Sequence, residues 1–177
     1  MSWIEDFKAE MPDPQERIER LRVVREVNSW VRTPYHHMAR VKGPNGGCDC
    51  ATLLTEVYHR ARLVPRIELE FYPPDWHLHR SQEKYIGYVL QWSVEIPIEE
   101  VRPGDIVLWK YGRAFGHGGI VIPPGWPYIV HSEMQSRMVV QGQVNIGQLG
   151  HRPCRAYTLW RKDRPSRIIR PADEDAI

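Results

Sequence analysis

Gly46-Gly47-Cys48-Asp49-Cys50-Ala51-Thr52-Leu53-Leu54 is the stretch on which the reading of this chain turns. Two glycines run into an Asp-Cys pair, and the pair opens an amphipathic run: Leu53, Leu54, Val57, Tyr58 and Ala61. The spacing predicts a helix over 50–61 with Cys50 as its first residue and the sulfur at the positive end of the helix dipole. A thiol there is easier to ionise, and the thiolate is the reactive species. The glycines let backbone pass close to a ligand. The helix start offers amide donors to an oxyanion. A lone Cys is ordinarily a small buried hydrophobe, so the assignment depends on a base elsewhere. Cys48 reads as a loop residue, a reserve thiol or a redox partner, without the helix start that would make it a nucleophile.

Gly116-His117-Gly118-Gly119-Ile120-Val121-Ile122 supplies the base, a histidine at the start of a buried strand. The flanking glycines leave its ring little local cover, so a substrate backbone can approach. His131 closes the next apolar strand, Tyr128-Ile129-Val130-His131. Pairing of those strands around Pro123-Pro124-Gly125 brings the two rings together, and one His then fixes the tautomer in which the other accepts the thiol proton. A one-residue slip would turn His131 to the opposite face. Cys50 and His117 together point to a Cys–His hydrolase.

The bulk composition agrees with one globular domain of 177 residues, 42% apolar and 26% charged. We expect the domain to cover 1–162 and a charged, Pro-containing, flexible tail to follow over 163–177. Net charge is +2, with 24 basic against 22 acidic residues and no long run of one sign. No nucleic-acid partner is expected from that balance. Three cysteines do not make a disulfide framework. The start, Met1-Ser2-Trp3-Ile4-Glu5-Asp6, lacks the basic-then-apolar profile of a signal peptide. No apolar run approaches the roughly 18 residues that span a bilayer, so no membrane insertion is expected. A chain made in the cytoplasm and staying there unless carried out is the expectation.

Competing chemistries have weaker support. Cys48, Cys50, Cys154 and eight His are possible zinc ligands, but Cys-x-Cys is not a knuckle spacing and there is no second Cys pair. His131-Ser132-Glu133 with Pro153-Cys154 partly mimics a zinc deaminase, yet Tyr157 stands where that signature needs a second Cys. His36, His37, His77 and His79 read as surface and loop residues. No phosphate-binding glycine motif occurs. No metal and no cofactor are expected.

Along the chain, residues 1–12 read as a short helix or ordered arm. Asp13-Pro14 starts a helix to about Trp30, with Ile18, Leu21, Val24, Val27 and Val31 at helical spacing. A Gly/Pro/Asn loop over 43–47 precedes the 50–61 helix. Residues 64–80 are loop-like, and a further helix is predicted over 81–92. Strands follow at 106–109, 117–122, 128–131, 137–140 and 154–160, separated by Gly/Pro turns. Helices first and strands second give an α+β domain with an antiparallel sheet.

These motifs resemble the NlpC-type cell-wall cysteine peptidases, a papain-like family. Its pattern is matched by Thr33-Pro34-Tyr35, Gly46-Gly47, Asp49-Cys50-Ala51-Thr52-Leu53, Arg102-Pro103-Gly104-Asp105, His117-Gly118-Gly119-Ile120 and Ile129-Val130-His131, in order over about residues 25–160. The Cys-Asp-Cys and Tyr72-Pro73-Pro74-Asp75-Trp76 stretches resemble the members carried by phages and phage-like particles. The resemblance implies a papain-like NlpC-type fold, with helices packed on a central antiparallel sheet. It implies Cys50 as nucleophile, His117 as base and His131 as the residue orienting it. It places Tyr35 near the oxyanion, and Asp49 with Ala51 and Gly118 on the substrate side. The implied substrate is an amide in the peptidoglycan stem peptide, typically between D-glutamate and a diamino acid. Phage tail proteins are the implied partners, and a virion or tail acting on the periplasmic wall the implied location. Ala51 and Thr52 depart from the family's Ser-Gly. A tail-tip assembly protein with little activity, and a cytoplasmic amidase, acyltransferase or toxin on the same Cys–His site, are the alternatives.

Overall fold

The computed structural model describes residues 11–73 and 84–161. The predicted arm before residue 11, the Asp75–His79 cluster and the tail after 161 lie outside the described residues.

Helix α1, Pro14–Asn28, is capped by Asp13, whose side chain accepts from the Gln15 amide at 2.9 Å. It stops two residues short of Trp30. Its buried face is Glu19, Arg20, Val23, Val24 and Val27, whereas Ile18 and Leu21, expected inside, are 54% and 38% exposed. The cause is a long-range polar network. Arg20 donates to Asp105 Oδ1 at 2.9 Å and to the Pro103 carbonyl at 3.0 Å, and its guanidinium lies 4.0 Å over the Trp160 ring. Trp160 Nε1 donates to Glu19. These partners rotate the helix away from its most apolar stripe.

Strands β1, Arg40–Val41, and β2, Gly47–Cys48, pair antiparallel where the sequence reads as loop. A Cβ on Gly46 would lie 2.0 Å from the Val41 carbonyl oxygen, and one on Gly47 2.5 Å from His36 Cβ. These glycines make room for the chain's own Val41 backbone and His36 side chain rather than for a ligand. Cys48 is therefore a fully buried strand residue and not a loop residue.

Helix α2, Cys50–Arg60, follows directly and buries every side chain from Ala51 to Tyr58. Helix α3 is Lys84–Leu90, shorter at its C-terminal end than the span to Trp92. The main sheet has the order β3-β8-β4-β5-β6-β7, all neighbours antiparallel. Its strands are β3 Val94–Ile96, β4 Ile106–Tyr111, β5 Ala114–Val121, β6 Tyr128–Glu133, β7 Met138–Gln143 and β8 Cys154–Thr158. β3 is a three-residue edge strand absent from the sequence reading. β5 begins three residues before His117, so that histidine lies inside its strand.

The sheet buries both faces by strict alternation. Leu108, Ile120 and Val130 join Leu53, Leu54 and Val57 of α2 in one core. Val107, Trp109, Val121 and Ile129 form a second core behind it. Between β4 and β5 the register shifts: Trp109 faces His117, but Lys110 faces Phe115, so Gly116 is a bulge residue. Among the described residues no helix is long and apolar enough to cross a membrane. The fold is α+β, as the sequence predicts.

Candidate active site

Asp49 caps α2 and organises everything around Cys50. Its Oδ1 accepts from the amides of Ala51 (3.1 Å) and Thr52 (2.9 Å) and from Thr52 Oγ1 (3.0 Å). Its Oδ2 accepts from the Met38 amide (2.8 Å) and the Tyr72 hydroxyl (2.7 Å), and His37 Nδ1 lies 3.2 Å away. The carboxylate is 2% exposed. It borders the cleft, but both oxygens are engaged inside the protein. Because Asp49 takes the Ala51 and Thr52 amides, the helix start leaves the Cys50 amide for an oxyanion.

The Cys50 thiol is half-buried and donates to the Gly116 carbonyl with Sγ···O at 3.6 Å. Tyr85, from α3, donates its hydroxyl to the Cys50 carbonyl at 2.9 Å. Burial first, and the Asp49 charge second, push the Cys50 thiol up to about 12. Hydrogen bonds from the Gly118 amide and the Tyr85 hydroxyl oppose that rise. The position at a helix start therefore does not by itself ionise the sulfur: desolvation and a neighbouring carboxylate outweigh it.

His117 and His131 meet at 2.8 Å, Nε2 to Nδ1, with rings edge-on at 5.0 Å. The register explains the meeting. Gly119 pairs with His131, and His117 lies two residues earlier on the same face, a diagonal neighbour. The turn carries Ile122, Gly125 and Tyr128 in mutual backbone hydrogen bonds, as the Pro123-Pro124-Gly125 reading requires. His131 is buried, and that burial pushes its pKa down. A neutral pair needs one donor and one acceptor. With His117 Nε2–H donating to His131 Nδ1, the other nitrogen of His117 carries no proton and is able to take one from the thiol. Trp109 and Tyr111 flank the His117 ring at 5.9 and 5.5 Å.

His117 and His131 belong to the sheet face of Trp109 and Ile129, whereas α2 packs on the opposite face. The glycines around His117 resolve this geometry. The Gly116 bulge meets the thiol through its backbone. A Cβ on Gly118 would lie 2.6 Å from the Tyr85 hydroxyl and 2.8 Å from Leu54 Cδ1. Gly118 thus packs against α2 and α3, and does not face the open cleft.

Cys50, His117, His131, Tyr35 and Asp49 line one cavity of about 650 Å³. Ala51 instead lines a smaller apolar cavity of about 60 Å³ with Cys50, Tyr72 and Tyr85. Tyr35 is half-buried, and burial followed by the Cys50 charge raises its hydroxyl pKa, so it remains a protonated donor. The two cavities share Cys50, Tyr72 and Gly116.

Sequence reasoning did not single out Tyr72, Tyr85 or His37 for the site. His37, read as a surface residue, is half-buried between Asp49 and the Tyr72 carbonyl, its Nε2 2.7 Å from that oxygen. Only the Tyr72-Pro73 motif carried a signal; Tyr85 has none in its own neighbourhood. Cys48 receives Ser132 Oγ on its carbonyl at 3.0 Å, and burial pushes its thiol up to about 12. All three cysteines are free. Among the described residues no group of three or more His, Cys, Asp or Glu side chains is placed to hold a metal ion.

No family model matches the chain, and no curated protein matches it. Solved structures do. The peptidoglycan hydrolase RipB from Mycobacterium tuberculosis aligns over 86% of this chain and 70% of its own, with TM-score 0.56 and 15% identity. The P60 domain of an M. avium subspecies paratuberculosis antigen aligns over 82% and 97%, with TM-score 0.55 and 15% identity. RipD from M. tuberculosis, a non-catalytic NlpC/p60 domain protein adapted to peptidoglycan binding, aligns over 80% and 97%, with TM-score 0.54 and 13% identity. At these identities the likeness is one of fold, and the chain has the NlpC/p60 fold.

Proposed function

We propose that the protein is a cysteine peptidase that hydrolyses an amide bond in the peptide stem of peptidoglycan, between D-glutamate and a diamino acid. The observation that carries this reading is the His117–His131 pair at 2.8 Å, opening on the same cavity as a thiol at a helix start. The fold likeness to a peptidoglycan hydrolase supports the substrate class. The Cys-Asp-Cys and Tyr72-Pro73 motifs support carriage by a phage tail or similar particle, which would bring the enzyme to the periplasmic wall and make tail proteins its partners.

The chemistry runs as follows. The resting thiol is protonated, so proton transfer to His117 accompanies sulfur attack on the amide carbonyl. The Cys50 amide and the Tyr35 hydroxyl receive the oxyanion. His117 returns the proton to the departing amine. Water, activated by the same ring, then resolves the thioester. His131 holds the His117 tautomer throughout. Ala51 in place of a hydroxyl residue gives the acyl side an apolar wall.

A second reading has its own observation. A thiol pushed up to about 12 is what a site retained for binding alone would also show, and RipD is non-catalytic on the same fold. Under that reading the protein is a tail-tip or wall-binding component. Digestion of purified peptidoglycan with mass analysis separates the two. Wild type should release fragments with new amine ends, and Cys50→Ala should release none. Release by neither, with a control wall enzyme active on the same sample, defeats the peptidase reading in favour of binding.

A further inference from the structure

Whatever amide Cys50 attacks, the departing amine must lie where His117 can protonate it. Around Cys50, the side of the histidines opens into the larger cavity, and the side of Ala51 and Tyr85 opens into the smaller apolar one. The departing half of the substrate therefore occupies the larger cavity.

Beyond the histidines, the walls of that cavity come from β6, β7 and the segments after them: Glu133, Gln135, Gln141, Gln143 and Gln148. Among the described residues no Lys or Arg lines it. Two carboxylates do. Asp49 is 2% exposed with both oxygens engaged. Glu133 is half-buried and accepts from Ser136 Oγ, which leaves a carboxylate with further acceptor sites. It follows His131 by two residues on β6, so the two side chains project from the same face of the sheet. Gln141 spends its amide nitrogen on Asn28 Oδ1 at 2.8 Å. A carboxylate brought beside Glu133 would meet a like charge, while Arg152, whose guanidinium lies 3.7 Å over the Tyr111 ring of this cavity, is engaged with that ring and with the Lys110 carbonyl. An ammonium would meet Glu133, and the glutamines suit neutral polar groups.

We propose that Glu133 selects the departing half of the substrate, an amine component that carries its own ammonium group. The free ε-ammonium of a lysine-type diamino acid has this chemistry. An acylated ε-amine, as in a cross-linked stem, lacks it. This rests on the peptidase reading above and names the substrate class within it.

The test is binding, measured by calorimetry on the full-length Cys50→Ala protein. Two synthetic stem tetrapeptides differ only in a free or acetylated lysine ε-amine, with the remaining carboxylates amidated. The free form should bind about tenfold tighter, about 1.4 kcal/mol. Adding Glu133→Gln should bring the two within about twofold. The preference should also shrink about threefold or more between low and high salt, since it comes from one ion pair; this arm holds if Glu133→Gln fails to fold. Equal binding, a preference that survives Glu133→Gln, or one indifferent to salt overturns the role of Glu133. Fragment release by wild type without amine preference overturns it and leaves the peptidase reading standing. No binding and no release overturns both.

Discussion

Replacing Asp49 with Asn separates the two jobs of that side chain. The amide oxygen can still accept from Ala51 and Thr52, as Oδ1 does at 3.1 and 2.9 Å, so the helix cap survives. The amide nitrogen then stands where Oδ2 stood, facing the Met38 amide at 2.8 Å, the Tyr72 hydroxyl at 2.7 Å and His37 at 3.2 Å. The Tyr72 hydroxyl can turn and accept. The Met38 amide cannot, and an orphaned buried donor costs about 1–3 kcal/mol. Loss of charge from the remaining bonds adds about 1 kcal/mol. We expect a loss of about 3 kcal/mol, which in a domain of this size is roughly 6–12 °C in Tm. The Cys50 thiol moves the other way. Asp49 is the second cause of its elevation, so removing the charge lowers that pKa and raises alkylation by iodoacetamide at fixed pH. Thermal unfolding and a pH–rate profile of alkylation read the two effects on one preparation. A Tm unchanged within 2 °C, or an alkylation profile unmoved or shifted to higher pH, refutes the description of Asp49 as both scaffold and brake.

Three further outcomes are expected. His131→Ala should lower turnover about a hundredfold by freeing the His117 tautomer, while His131→Gln, which keeps an acceptor, should recover part of it; equal losses in kcat would remove the orienting role. Gly118→Ala should lose about 1–3 kcal/mol in denaturant unfolding because its Cβ would fall 2.6 Å from the Tyr85 hydroxyl and 2.8 Å from Leu54; an unchanged midpoint contradicts that packing. Cys48 is fully buried with its pKa raised from 9.0 to about 12. Above pH 9 the unfolded chain has lost this proton and the folded chain keeps it, so stability falls as pH rises through that window, by about 1.4 kcal/mol per pH unit from this thiol. Cys48→Ala should flatten the slope between pH 9 and 12, and an identical slope would show that Cys48 is not the titrating group.

Local chemistry made parts of this molecule legible from sequence. Asp13-Pro14 and Asp49-Cys50 are self-contained helix starts, because a cap bonds amides two and three residues on. Alternation and turn residues located β4 to β8. His131 was found because a tight turn fixes register over only a few residues on either side. Where the deciding partner is distant, the reading went astray. The buried face of α1 depends on Asp105, 85 residues from Arg20. The glycines at 46 and 47 serve Val41 and His36. Tyr72 and Tyr85 reach Asp49 and Cys50 across 23 and 35 residues. The direction of the Cys50 shift depends on how deeply the fold wraps the thiol, which no spacing of residues encodes.

Helix α2 seats on the face of β5 opposite His117, and its first residue reaches the Gly116 bulge, where thiol and imidazole open on one cavity. The separation of the reacting atoms is thus set by how α2 seats on the sheet, through Leu53, Leu54, Val57, Leu108 and Ile120. The interlayer core acts as a gauge block for the chemistry. A methylene removed from that core alters the spacing at the site as well as the melting point, so ordinary packing variants far from the cleft would act as vernier adjustments of rate.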